Sequence, residues 1–284
     1  MVVRAYQMGY AVCSVSNAFA VCICMVSRNF GSDEITDEAQ MKDVPISALS
    51  LRNQILAALP RAEWDRLRLG MVPVQLVSGQ VLIESNRAGE HVYFIERGFA
   101  SVIANCGEKS AHVALVGQEG IVGGLSLLGG DVFAGSVVMH APGEALRIPL
   151  PVLRLRLDQC PALRDAWLRD VSRFLGEVIQ TAADSACSTL DQRCARWLLL
   201  ADARVAGAPV PVTHEILAGM LGVFRSGVTV ALSGLQALGL IQSGRGRVTV
   251  VDRGGLERFA HRSLRQTSLG LGATRDLHRP DIRD

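Results

Sequence analysis

The sequence predicts an α+β chain: a small antiparallel β domain, then a long helix, then a C-terminal winged helix-turn-helix. Three observations carry this. Residues 71–149 alternate apolar and polar side chains between Gly and Asn turns. After Cys160–Pro161, apolar residues recur three and four apart as far as Ala182. Residues 212–241 hold two short apolar stripes on either side of a glycine, followed by a basic turn and a β-branched run.

The 284 residues suffice for two ordinary domains, and nearly half of them are apolar, enough for a sizeable core. The net charge of +2 is unevenly spread. From Cys187 onward there are 13 Arg and Lys against 8 Asp and Glu, or +5; the remainder has 16 against 19, or −3. A basic C-terminal part on an acidic N-terminal part suits a nucleic-acid-binding module joined to one that does not bind it. Seven cysteines (13, 22, 24, 106, 160, 187, 194) form no CxxC pair and no even framework, so neither zinc nor a disulfide scaffold is indicated. Reduced thiols in a cytoplasmic protein are the expectation.

Residues 1–45 are read as a disordered or mis-annotated N-terminal extension, with Met41 as the natural start. Tyr10 to Val26 is mostly apolar but falls short of the ~20 residues a membrane span needs, and Ser14, Ser16 and Asn17 interrupt it. No membrane partner is expected. Leu51, Ile55 and Leu59, then Trp64, Leu67 and Leu69, have helical spacing broken at Pro60, which predicts two short helices. From Met71 the period becomes two. VPVQLVSGQVLIESN, HVYFIERGFASVIAN, AHVALVGQEGIVGG and SVVMHAPGEALRIPL read as roughly eight short strands, completing a β domain over 46–150.

Residues 151–186 hold a helical stretch that breaks at Cys160–Pro161 and then runs long. Leu168, Val171, Leu175, Val178 and Ala182 repeat like a coiled-coil seam, which predicts pairing with a second copy of the chain. Residues 187–264 form the last domain. Leu190 to Leu200 is an amphipathic helix. Thr213 is an N-cap for a helix carrying Ile216, Leu217, Met220 and Leu221, and Gly222 ends it. The second helix starts at Arg225, with Val228, Ala231, Leu232 and Leu235 inward. SGRGR (243–247) is a basic turn, and VTVV (248–251) a strand. Such a unit presents its second helix to the DNA major groove. Residues 265–284 are expected to be a disordered tail.

No nucleophile–base spacing, P-loop, paired carboxylates or metal motif is present, which points away from an enzyme, and no cofactor is implied. His91, His112 and His140 are isolated on presumed strands; a haem or redox sensor would have to use one of them with Cys106.

In its order of parts the chain resembles the CRP/FNR family of bacterial transcription regulators over about Ile46 to Leu264. The resemblance rests on SGQVLIESN, EHVYFIERG, VGQEGIVGG, GEALRI, DQRCARWLL and THEILAGMLGVFRSGVTVALSGLQALGLI. It implies a cyclic-nucleotide-binding-type β-roll, a dimerisation helix and a winged helix. It further implies a homodimer on a two-fold symmetric operator in double-stranded DNA, acting on RNA polymerase. The implied DNA-facing residues are Thr213, His214, Arg225, Ser226, Gly227, Thr229 and Val230, with Arg245 and Arg247 on the wing. The implied effector pocket is degenerate: Gly123, Gly124, Leu125, Ser126, Ala134, Gly135 and Ser136. Nucleotide-binding members place a glutamate for the ribose where this chain has Gly124, and an arginine for the phosphate near Phe133–Ser136. No Lys or Arg occurs between Lys109 and Arg147, so a buried phosphate would lack a cation. Independence from cyclic AMP is therefore expected, and the effector is left unnamed. Arg225 can bond a guanine, and Val230 offers only apolar contact, for example to a thymine methyl. The operator should thus differ from that of the cyclic-AMP-dependent members.

Overall fold

The computed structural model describes residues 51–106, 109–129, 133–205 and 207–261. The expected N-terminal extension with Met41, the tail over 265–284 and the side chain of Cys106 lie outside the described residues. The chain separates into two units, one through Ser172 and one from Arg173.

The first unit opens with α1 (Gln54–Ala57) and α2 (Arg61–Leu67). Its strands are β1 (Val72–Leu76), β2 (Val81–Ile83), β3 (His91–Ile95), β4 (Phe99–Cys106), β5 (Lys109–Val116), β6 (Ile121–Val122), β7 (Gly135–Ala141) and β8 (Gly143–Pro149). They pair antiparallel in two sheets, ordered β1-β8-β3-β6 and β2-β7-β4-β5. The period-two pattern works as expected: Phe94, Phe99, Leu115, Met139, Leu146 and Ile148 are fully buried. Gly98 turns β3 into β4 with φ +77°, and a Cβ there would lie 2.3 Å from the carbonyl oxygen of Ala141, so only glycine fits.

Asn53 ties the N-terminal helices to this domain. Its Oδ1 caps α1 by accepting from Ile55 N and Leu56 N at 3.2 and 3.3 Å. Its Nδ2 donates to the carbonyls of Ile95 and Gly120 at 3.3 and 3.0 Å. The carboxylate of Glu96 in turn accepts from the N–H groups of Arg52 and Asn53. One buried amide thus satisfies backbone groups from three segments, which water cannot reach.

After β8 come α3 (Leu150–Gln159) and α4 (Pro161–Cys187). Cys160 between them is non-helical, as the residue before a proline tends to be. The free N–H groups of Ala162 and Leu163 at the start of α4 donate to the Glu63 carboxylate of α2 at 3.3 and 3.1 Å. Leu163, Ala166 and Trp167 enter the core formed with Trp64, Phe94 and Ile148, and Val171 packs against the same cluster. Burial raises the Cys160 thiol above its ordinary pKa.

The second unit holds the rest of α4, then α5 (Leu190–Asp202), β9 (Val210–Pro211), α6 (His214–Leu221), α7 (Arg225–Ala237), β10 (Ile241–Gly244), β11 (Arg247–Val250) and α8 (Arg253–Ala260). Thr189 and Gln192 form a capping box at the start of α5. Trp197 and Leu198 are buried where α5 packs on α7 and α8. Burial, with Asp191 adding, pushes the Cys194 thiol up to about 12, so it behaves as a core side chain. Glu177 of α4, its side chain largely shielded from solvent, lies 3.1 Å from Arg204 and 3.6 Å from Arg173. That cluster fixes the end of α5 to the second half of α4.

Two elements carry no signal in the sequence pattern. β9 pairs with β11 and makes the wing three-stranded, in the order β10-β11-β9. α8 is capped by Asp252, whose Oδ1 accepts from Gly255 N at 2.8 Å. The strand expected over 248–251 is shifted by one residue, to Arg247–Val250, because Val251 N instead donates to the Leu240 carbonyl and closes the hairpin base.

Candidate nucleic-acid interface

Thr213 Oγ1 accepts from Ile216 N at 3.1 Å and starts α6 as its N-cap. Gly222 ends it with φ +66°, the left-handed conformation that costs glycine least. The chain then bends by 110° into α7. Arg193 of α5 donates to the Leu221 carbonyl at 2.6 Å, occupying a free acceptor at the end of α6. Val228, Ala231, Leu232 and Leu235 turn inward on α7. Leu217 and Ala218 of α6 are buried too, while Ile216, Met220 and Leu221 are only half-buried. Inward anchoring leaves Arg225, Ser226, Thr229, Val230 and Ser233 exposed along the opposite side of α7.

The exposed end of α7 is held by α6. Thr229 Oγ1 donates to the Arg225 carbonyl at 3.1 Å and lies 2.9 Å from His214 Nδ1. With its one proton committed to that carbonyl, the hydroxyl accepts from His214, which places a ring proton on Nδ1. Arg225 Nε lies 3.7 Å from Glu215, with 69% of the arginine side chain exposed. An exposed pair of this kind contributes about 0–1 kcal/mol, so it does not lock the Arg225 side chain in place.

Among the expected DNA-facing residues, Arg225, Ser226, Thr229 and Val230 cluster at one exposed end, with Thr213 and His214 behind them. Gly227 differs. It is half-buried, and a Cβ there would meet Leu190 Cδ2 at 3.0 Å; its glycine serves close packing on α5 and offers no reading group. Arg245 and Arg247 are exposed at the hairpin turn, where Gly246 has φ +71°. Sequence reasoning missed Glu215, Arg193 and Phe224. Phe224 precedes α7 and is 86% exposed; an aromatic residue off both apolar stripes was the available signal.

The expected effector cassette folds as a 3-10 turn over Gly124–Leu128 behind Gly123, whose φ is +87°. Trp167 Nε1 donates to the Gly124 carbonyl at 2.9 Å. A Cβ on Gly124 would meet Ile121 at 3.4 Å and Trp167 Cδ1 at 3.5 Å. Asp170 accepts from Ile121 N at 3.2 Å, and Arg154 donates to the Ser126 carbonyl at 3.2 Å. The cassette is thus held by α3 and α4 through its backbone. Gly135 and Ser136 are buried on β7, and the Ser136 hydroxyl has no partner among the described residues. Leu125 is half-buried and Ala134 exposed. The three histidines are apart: His140 stacks on Phe99 at 5.1 Å, His91 is tilted to Tyr93 at 6.5 Å, and His112 is buried on β5.

On α4, exposure separates the expected seam. Leu168, Leu175 and Ala182 are exposed, while Val171 and Val178 are half-buried, Val171 against the β-domain core. Ile179, outside the expected set, is 61% exposed. The exposed register is therefore Leu168, Ser172, Leu175, Ile179, Ala182, again four and three apart.

Comparison with known proteins agrees with this architecture. Residues 73–159 match the cyclic nucleotide-binding domain, and residues 192–259 the Crp-like helix-turn-helix domain. No curated protein sequence matches the chain. A CRP/FNR-family transcriptional regulator from Thermus thermophilus shares the fold at 23% identity, with 67% of this chain and 99% of that one covered and a TM-score of 0.57. FixK2 from Bradyrhizobium japonicum is 16% identical over 68% and 98% of the two chains, TM-score 0.58. The regulator CLP from Xanthomonas campestris is 18% identical over 67% and 99%, TM-score 0.57. A cyclic nucleotide-binding-type β domain followed by a DNA-binding winged helix defines a class of transcription regulators. This chain belongs to the CRP/FNR family of that class. Among the described residues, no single helix is long and apolar enough to cross a membrane.

Proposed function

We propose that the protein regulates transcription as a homodimer on a two-fold symmetric operator, without cyclic AMP, and acts on RNA polymerase in the cytoplasm. In this reading residues 46–150 are the sensing domain, 151–186 pair the two copies and 187–264 bind DNA. The observation that carries it is the exposed apolar register of α4. Leu168, Leu175 and Ile179 are 47, 55 and 61% exposed on one helix. A monomer has no use for such a stripe in water, and a second copy would bury it. A dimer then presents two copies of Arg225 related by a two-fold axis, which calls for a palindromic site with half-sites about one helical turn apart.

Independence from cyclic AMP is supported by the cassette. Gly124 provides no carboxylate for a ribose, Trp167 closes over its carbonyl, and neither β6 nor β7 carries a cation for a phosphate. The Xanthomonas relative is described as responsive to c-di-GMP, so a regulator of this fold can respond to a nucleotide other than cyclic AMP.

Three measurements on the full chain test the reading. Light scattering is expected to give a dimer. Selection from a random duplex library is expected to enrich a palindrome. Calorimetry with cyclic AMP is expected to give no heat of binding, with c-di-GMP as a parallel titration. A monomer, a non-palindromic consensus or micromolar cyclic AMP affinity would each overturn the corresponding part.

A further inference from the structure

Phe224 is unexplained by folding. It occupies the N-cap of α7, where Ser, Thr, Asp and Asn are favoured because they accept from free N–H groups of the first turn. Phe224 makes no such bond. It also contributes nothing to a core, being 86% exposed, the most exposed of the large apolar side chains among the described residues. Local preference and burial both argue against an aromatic residue here, and positions that break both rules are where function is to be sought. Its neighbours indicate the kind of function. Arg225 and Ser226 follow directly and are exposed, and Val230, 72% exposed, lies further along the same helix.

We infer that Phe224 is a second reading residue, which recognises the C5-methyl of a thymine next to the base pair read by Arg225. The N-terminal end of the second helix is the part that meets base edges. In the major groove only thymine presents a methyl group, and apolar side chains are the groups that read it. The rest of this surface fits such readout. Ser226, Thr229 and Ser233 are short and neutral, Val230 is apolar, and Arg225 is the one charged side chain of α7. Charged readout would therefore rest on one guanine contact, leaving the remaining discrimination to short hydroxyls and methyl groups. The inference depends on the regulator reading above.

The test replaces thymines of the selected operator, one per half-site at a time, with deoxyuridine, which removes only the methyl. Binding of the full chain is measured for wild type, Phe224→Ala and Phe224→Leu. Wild type is expected to lose about fourfold in affinity for each methyl removed at one thymine position of the half-site, the worth of one buried methyl. Phe224→Ala should bind the unmodified operator more weakly and be indifferent to deoxyuridine at that position. Phe224→Leu should keep part of the discrimination. A thymine read by Val230 should remain sensitive in both variants. The inference is overturned if wild type tolerates deoxyuridine everywhere, or if Phe224→Ala keeps the wild-type deoxyuridine profile, whatever its overall affinity. Failure of the regulator reading looks different: wild type would then enrich no duplex from the library.

Discussion

The indole N–H of Trp167 donates to the carbonyl of Gly124 over 2.9 Å, joining α4 to the 3-10 turn of the expected effector cassette. With Asp170 accepting from Ile121 N, two side chains one helical turn apart grip both ends of a four-residue stretch. Removing the indole donor while keeping an aromatic ring tests that grip. Trp167→Phe is expected to destabilise the protein by about 1–2 kcal/mol, the cost of a buried carbonyl losing its donor. Urea denaturation followed by circular dichroism measures it; an unchanged midpoint would mean that the carbonyl finds another donor at no cost.

Glu96 gives a pH signature. Burial raises its carboxyl above the usual range and the Glu144 charge adds to this, while the N–H groups of Arg52 and Asn53 oppose it. The folded state therefore binds this proton more tightly than the unfolded chain does. The stability linked to Glu96 is full below the ordinary glutamate value of 4.5 and falls as pH rises through the raised value. Glu96→Gln should flatten that part of the profile and keep an acceptor for the two N–H groups. Urea midpoints from pH 4 to 7 are the measurement, and parallel profiles for the two proteins would contradict it.

The α4 register makes a paired prediction. Leu175→Asp and Ile179→Asp should yield folded monomers, because each places a charge where about 2 kcal/mol of side-chain burial per copy is expected. Val171→Asp should instead destabilise the β domain, since Val171 packs on its core. Light scattering and thermal unfolding together separate the two effects. Dimers persisting in both α4 variants would remove this helix as the interface.

Arg225 and Arg247 should fail in different ways. Arg225→Ala is expected to cost roughly 1–3 kcal/mol at one base pair per half-site and to relax preference there. Arg247→Ala, on the exposed wing, should weaken all sequences alike and lower the salt slope by about one unit for each phosphate that Arg247 neutralises. Binding to an operator library at several salt concentrations reads both. Uniform weakening by Arg225→Ala with preference intact would mean that Arg225 holds a phosphate and reads no base.

Much of this was legible in the sequence, because local patterns fix local structure. The alternation after Met71 gave the two sheets their buried faces, Cys160–Pro161 broke the helix where a pre-proline residue must, and Thr213 and Gly222 bounded α6 through their own backbone chemistry. Order along the chain then identified the family, and the missing glutamate and arginine of the cassette were visible as residue types. What depends on neighbours distant in sequence was not legible. Leu168, Leu175 and Ala182 fit two heptad registers equally well, one through Val171 and Val178, one through Ser172 and Ile179. Only the packing of Val171 against the β-domain core decided which residues stay exposed. Gly227 has the sequence position of a reading residue, and only the fold sets Leu190 against it. β9 is too short to show a period, and exists because β11 offers it an unpaired edge. Phe224 stands off both apolar stripes in the sequence, but a sequence records only that a side chain is apolar, and only the fold decides whether anything covers it.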